Sequence, residues 1–260
     1  MNKIIIFEWT YTPADYFEAP IHIKQDTYEM TIKDGKVEAR LKHTNCEESQ
    51  IRQELHKSLN SRFLGVQILT HKPFELSNIS TYHMHPDGSK DVFIHVNPAT
   101  ITLTAMPVDI IVRDQLGNIT RDTRQERIDK KKELASLAEK FGRNPIVIAL
   151  LSSYNNAVND PQNELVHLYE IRDTLNSIFT GKQKAYTTLN INKKREWVRL
   201  GKLACTEPLK QGRHRGQNAG GLRDATNAEL EEARKIARRM IHAYLLHLDE
   251  ANSRKENDIS

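Results

Sequence analysis

The stretch ELVHLYEIRDTLNSIF, residues 164–179, sets Leu165, Leu168, Ile171, Leu175, Ile178 and Phe179 mostly three or four positions apart. A strand repeats its apolar residues every second position, so this spacing predicts a helix with one buried stripe. The spacing returns in Leu230, Ala233, Ala237, Met240, Ile241, Tyr244 and Leu248, just after Thr226 and Glu229 in capping-box register. Two amphipathic helices cannot cover their own stripes and need further helices around a shared core. Candidates lie close by. TRQERIDKKKELASLAEKF carries Ile128, Leu134, Leu137, Ala138 and Phe141 at helical spacing, and Pro145 sits where the first turn of IVIALLSSYNNAV accepts it. Two shorter helical pieces are expected near 182–189 and 193–204. Residues 121–252 therefore read as an all-α bundle and 253–260 as a frayed tail.

Residues 1–120 follow a different period. A strand is expected over 3–10, and YEMTIKDGKVEARL reads as a hairpin about Asp34-Gly35, a dipeptide suited to positive φ. Ile51, Leu55, Leu59 and Phe63 predict a helix over 47–63 that stops at Gly65. Strands are expected at 66–69, 77–85, 92–96 and 101–105, and VDIIVRDQLGNIT as a hairpin turning near Gly117-Asn118. The fold class is α+β: an N-terminal mixed β-sheet domain with one helix over 1–120, then the helical bundle. A chain of 260 residues is long enough for both.

Several classes of function receive no support. The apolar runs fall short of the roughly 20 residues that span a bilayer, so no membrane partner is expected. The start, MNKIIIFEWTYTP, reads as a first strand rather than a secretory leader. Cys46 and Cys205 are far apart with no CxxC partner, which fits a reducing cytoplasm better than a disulfide framework or zinc knuckle. There is no Walker A loop, no Rossmann fingerprint and no Gly-x-Ser-x-Gly elbow, and no cofactor is expected.

Charge is more informative. The chain carries +4 overall, but residues 182–223 hold eleven Lys and Arg against Glu196 and Glu207. That window is +9, leaving −5 for the rest, and a field so concentrated favours a polyanion. Its end, LKQGRHRGQNAGGLRDAT, joins glycines that let backbone amides approach a ligand, arginines that fork onto phosphate oxygens, and a helix N-terminus. The candidate anion-binding residues are Lys210, Arg213, Arg215, Arg223, Arg199 and Lys202. His214 between Arg213 and Arg215 is a candidate general base, the arginines stabilising a developing phosphorane, for metal-free RNA cleavage. The alternative is a connection that packs over the bundle, Arg213 or Arg215 tied to Glu170 or Asp173. Arg172, in LYEIRD with Glu170 and Asp173, falls on or near the buried stripe and is expected to need a carboxylate or carbonyl partner.

DTRQERIDKKKELASL, NELVHLYEIRDTLNSIF and GRHRGQNAGGLRDAT…ELEEARKIARRMIHAYL resemble segments of an uncharacterised bacterial protein family over about the last half of the chain. More distantly, a helical bundle with Arg and His beside its last helix resembles the HEPN superfamily. That resemblance implies a metal-independent RNase of toxin–antitoxin or phage-defence systems. The superfamily motif is Arg, four to six residues, then His. This chain departs from it: no His follows Arg213 or Arg215 at that spacing, and only three residues separate Arg238 from His242.

STYHMHPDGSKDVFIHV holds a second constellation, His83, His85 and His95. If its strands pair about Gly88, His95 opposes Thr81 on the face of His83 and His85, a three-histidine layout suited to zinc. Three readings thus stand: a nucleic-acid-binding protein with RNA favoured, a non-catalytic regulatory protein that oligomerises or binds a protein partner, and a zinc enzyme.

Overall fold

The structure, a computed structural model, describes residues 4–42, 48–84, 90–93, 109–218 and 220–257. Contacts divide the chain into one unit of 1–60 and 74–133 and another of 61–73 and 134–260. The boundary expected near 120 follows the change of sequence period. The contact division instead falls within two helices, which give residues to both units.

The first unit is built on a sheet of order β2-β3-β4-β1-β6-β7. Its strands are β1 (Ile4–Thr12), β2 (Ile21–Lys24), β3 (Tyr28–Lys33), β4 (Lys36–Leu41), β6 (Ser80–Met84) and β7 (Lys90–Phe93), with the short β5 (Glu75–Leu76) on β1. Each described ladder is antiparallel, where the sequence left strand directions mixed. Asp34 and Gly35 both have positive φ, 47° and 78°, so the two-residue turn closes β3 onto β4 as expected. Alternation buries Phe7, Trp9, Met30, Ile32, Val37 and Ala39. β8 (Ile111–Arg113) and β9 (Ile119–Asp122) form a separate hairpin.

An ion cluster fixes the chain after β1. Arg127 Nε donates to both Glu18 oxygens at 2.7 and 2.8 Å, and Lys131 Nζ lies 2.7 Å from Glu18 and donates to the Tyr16 carbonyl at 2.9 Å. Burial alone would raise the Glu18 carboxyl, but the bonds from Arg127 and Lys131 outweigh it and hold it down at about 2.

The second unit is helical. It takes the end of α1 (Glu48–Thr70) and of α2 (Thr123–Lys140), then α3 (Pro145–Asn159), α4 (Glu164–Ile178), α5 (Lys182–Thr188), α6 (193–206) and α7 (Asn227–Asn257). Asn144 caps α3, its side chain accepting from Ile146 N and Val147 N, with Pro145 in the first turn. The stripes of α3, α4 and α7 meet in one core of Leu150, Leu151, Leu168, Ile171, Met240 and Ile241, among others.

Two expectations fail. α1 does not stop at Gly65, and 66–69 is helix, not strand. A Cβ at Gly65 would lie 2.5 Å from the Leu134 carbonyl and 2.7 Å from Ala138 Cβ. The glycine is needed because α2 passes against it, and the helix continues so that Val66 and Ile68 are buried. The tail also stays ordered further than expected, α7 continuing to Asn257 with Arg254 and Glu250 paired one turn apart. The strand expected at 101–105 lies outside the described residues.

Glu18→Gln is expected to destabilise the protein by about 3 kcal/mol at pH 7, since a lowered carboxylate stabilises only above its unfolded pKa. Urea melts of wild type and variant should converge as pH falls from about 4.5 toward 2. A difference independent of pH would show that the carboxylate charge is not what matters.

Candidate functional site

The loop at 209–226 is zipped onto the second unit. Leu209 and Arg223 form a parallel bridge, with Lys210 N donating to Arg223 O and Arg223 N to Pro208 O. Arg213 N donates to Ala204 O at 2.7 Å, and Gln211 Oε1 accepts from Ala225 N. At the α7 N-terminus the expected capping box forms: Thr226 N donates to Glu229 Oε2 and Glu229 N to Thr226 Oγ1. Arg223 then grips both Glu229 oxygens at 2.8 and 2.6 Å. Those bonds, Arg223 first and then Thr226, hold the Glu229 carboxyl near 2. The helix end where an external anion was expected already holds an internal one.

The other loop cations are engaged as well. Lys210 pairs with Asp224 at 2.9 Å, and Arg199 with Glu207 at 2.7 Å and Glu232 at 2.9 Å. Arg213 Nη1 donates to Asp173 at 2.8 Å while its guanidinium lies 4.7 Å from the Tyr169 ring centroid. Arg215 reaches the Gly212 and Gln162 carbonyls and the Asn163 side chain. His214 is exposed, and its side chain has no hydrogen-bond partner among the described residues. Arg213 and Arg215 are thus engaged with different partners, Asp173 for one and Gln162 and Asn163 for the other. Asp173 supports the loop as its alternative reading expected. Glu170 does not, bonding Ser153 Oγ at 3.3 Å with His167 at 3.6 Å.

The helical unit also holds a recess of about 330 Å³. Four cations line it: Arg172 from α4, Lys182 from α5, and Lys193 and Lys202 from α6. No carboxylate does, and none of the four has a carboxylate partner among the described residues. Arg172 was expected to meet a carboxylate or carbonyl. Its guanidinium instead lies 4.9 Å from the centroid of Tyr169 and 5.5 Å from that of Trp197, a cation held by ring faces and left electrostatically available. Tyr169 therefore has two guanidiniums close to one ring. Gly201 makes room for one of them, since a Cβ there would fall 1.9 Å from Arg172 Nη1. Tyr186 completes the wall, with Lys193 Nζ 5.9 Å from its centroid.

Of the expected anion-binding residues, Lys202 faces this recess. Lys182, Lys193, Tyr169, Tyr186 and Trp197 were not singled out from the sequence. The nearest pointer was the Lys193–Lys194–Arg195 run, counted there only as charge. A second recess of about 520 Å³ in the sheet unit includes His56, whose Nδ1 accepts from Trp9 Nε1, and Arg52, which donates to the Ile79 carbonyl.

The register expected for the three-histidine layout is not the one observed. Thr81 pairs with Phe93, not His95. His83 stands on β6 opposite Ile5 and Asp91, while His85 and His95 lie outside the described residues. Among the described residues no group of three His, Cys, Asp or Glu could hold a metal ion, and no helix is long and apolar enough to cross a membrane. No protein-family model, curated protein or solved structure matches this chain.

Glu229→Ala removes the acceptor shared by Arg223 and the α7 cap. It is expected to cost about 1 kcal/mol and to speed amide hydrogen exchange across 209–225. Unchanged exchange would mean that the backbone bridge alone holds the loop.

Proposed function

We propose that the helical unit binds single-stranded nucleic acid, with RNA the favoured ligand, at the recess formed by α4, α5 and α6. One observation carries this reading: four cations without a carboxylate share a recess with three aromatic side chains. Phosphates supply the charge that such a set lacks, and unstacked bases supply faces for the rings. RNA is favoured because its loops and ends present unpaired bases. The loop arginines already hold internal partners, so cleavage by His214 is not the leading reading.

Binding of a labelled single strand should weaken with salt, with a log–log slope approaching about −3 where each of the four cations neutralises one phosphate charge. Lys202→Ala should lower affinity for all sequences alike and reduce that slope by about 0.7. Absence of binding at low salt would end this reading. EDTA-resistant RNA cleavage, lost when Arg213, His214 and Arg215 are all changed to Ala, would instead establish the metal-free RNase that the HEPN resemblance implies.

A second reading, protein–protein contact, is favoured by the β8–β9 hairpin. Ile110, Ile111, Val112, Leu116 and Ile119 are all exposed there, Leu116 at 88%. An apolar two-stranded ribbon of this kind invites pairing with another chain. If copies pair through it, Leu116→Glu should shift the mass seen by light scattering from dimer to monomer. A wild type already monomeric at high concentration removes self-association.

A further inference from the structure

The recess is built for a point rather than a track. A strand crossing a surface spreads its single negative charges along its length, and a protein that follows it spreads its cations to match. Here Arg172, Lys182, Lys193 and Lys202 surround one volume of about 330 Å³ with no carboxylate among them. Four positive charges exceed what one internucleotide phosphate can neutralise. A phosphomonoester carries about −1.5 to −2 at neutral pH and offers three acceptor oxygens. Arg172 suits it, because its guanidinium lies over ring faces with no carboxylate partner among the described residues, and forked N–H donors match oxygen acceptors. Trp197 forms part of the wall, and its buried indole N–H has no acceptor among the described residues. The volume lies at the small end of ligand pockets, roughly 300–1,000 Å³, which suits one nucleotide. Tyr186, half-buried on the same wall, offers that nucleotide a ring.

We propose that this recess seats the terminal phosphomonoester of a nucleic-acid strand, the end nucleotide resting against Tyr186. The proposal rests on the strand-binding reading above and names which part of the strand enters. A free nucleoside monophosphate shares the same chemistry.

The test uses the full chain and short, internally labelled single strands that differ only in carrying a 5′-phosphate, a 3′-phosphate or hydroxyl ends. Affinity is read by fluorescence anisotropy at low salt. One phosphorylated end should bind about tenfold more tightly than the hydroxyl-ended strand. That preference should vanish in Gly201→Ala, where a methyl group evicts the Arg172 guanidinium. It should vanish also in Lys202→Ala, an exposed change that leaves the core untouched, and circular dichroism should confirm that both variants remain folded. Equal affinity for all three ends overturns the proposal and leaves strand binding intact, whereas no binding to any strand overturns both. A phosphate preference that survives in both variants also overturns it, because the seat then lies elsewhere. Adenosine monophosphate that displaces a phosphorylated strand identifies free nucleotide as a second source of the ligand. Displacement by the strand end alone restricts the source to nucleic acid.

Discussion

The helical unit depends on the carboxylate of Glu164, which is 1% exposed at the start of α4. A buried carboxylate is tolerated only when its oxygens are paired, and Arg234 of α7 supplies Nε at 2.6 Å and Nη2 at 2.8 Å. His71, just past α1, reaches the same carboxylate at 3.5 Å and the Tyr154 hydroxyl of α3 at 3.2 Å. Arg234 of α7 and His71 thus share one acceptor on α4, and His71 ties Tyr154 of α3 to the same cluster. His71 holds a left-handed φ of 51°, a conformation more natural to glycine, and its ring contacts account for a histidine there. Burial first, and then Arg234, lower its imidazole to about 4, so it stays neutral at pH 7 and adds no charge to the cluster. Losing one partner of such a buried pair typically costs about 3–5 kcal/mol. The cluster also sets the register of α4 against α7, and with it the height at which Tyr169, Arg172 and Asp173 emerge in the next turns.

From that register follows the sorting of charge. Asp173 emerges where Arg213 can reach it, and Glu229 and Glu232 of α7 face Arg223 and Arg199. Loop cations neutralised in this way hold the loop down. Arg172, one residue before Asp173, turns instead to Tyr169 and Trp197. A ring face attracts a guanidinium without cancelling its charge, whereas a carboxylate cancels it. The same basic stretch therefore yields a scaffold in one place and an available field in another.

How much of this could be read from the chain depends on the range of each interaction. The Asp34-Gly35 turn, the Asn144-Pro145 helix start and the Thr226/Glu229 cap involve neighbours, and local chemistry suffices to find them. The run VQIL at 66–69 fits a strand or a helix equally, and Gly65 before it reads as a stop. Its actual cause, the approach of α2, is a tertiary contact. The charge of the 182–223 window misled for a similar reason. Asp173, Asp224, Glu229 and Glu232, which pair with Arg213, Lys210, Arg223 and Arg199, all lie outside it. The recess gathers Arg172, Lys182, Lys193 and Lys202 from three helices, and no spacing in the sequence links them.

One feature of α6 makes that gathering geometrically possible. Lys193, Trp197, Gly201 and Cys205 are spaced by four, and all line the recess. In a regular α-helix each step of four residues drifts by about 40°, so such a row would wind off the site within three steps. α6 is not regular. π-helical turns at Lys193–Val198 and Lys202–Thr206 flank a single α-turn at Arg199–Gly201, with Trp197 N bonded to Asn192 O and Glu207 N to Lys202 O, five residues back. A π turn holds more residues than an α turn and drifts the opposite way, so mixing the two keeps every fourth residue on one side. The weaker hydrogen-bond geometry of the wide turns is offset where the row they align can pack, as Trp197 does in the core. Alignment along α6 brings Lys193 and Gly201 to bear on the same recess and lets the guanidinium of Arg172 lie against helix backbone.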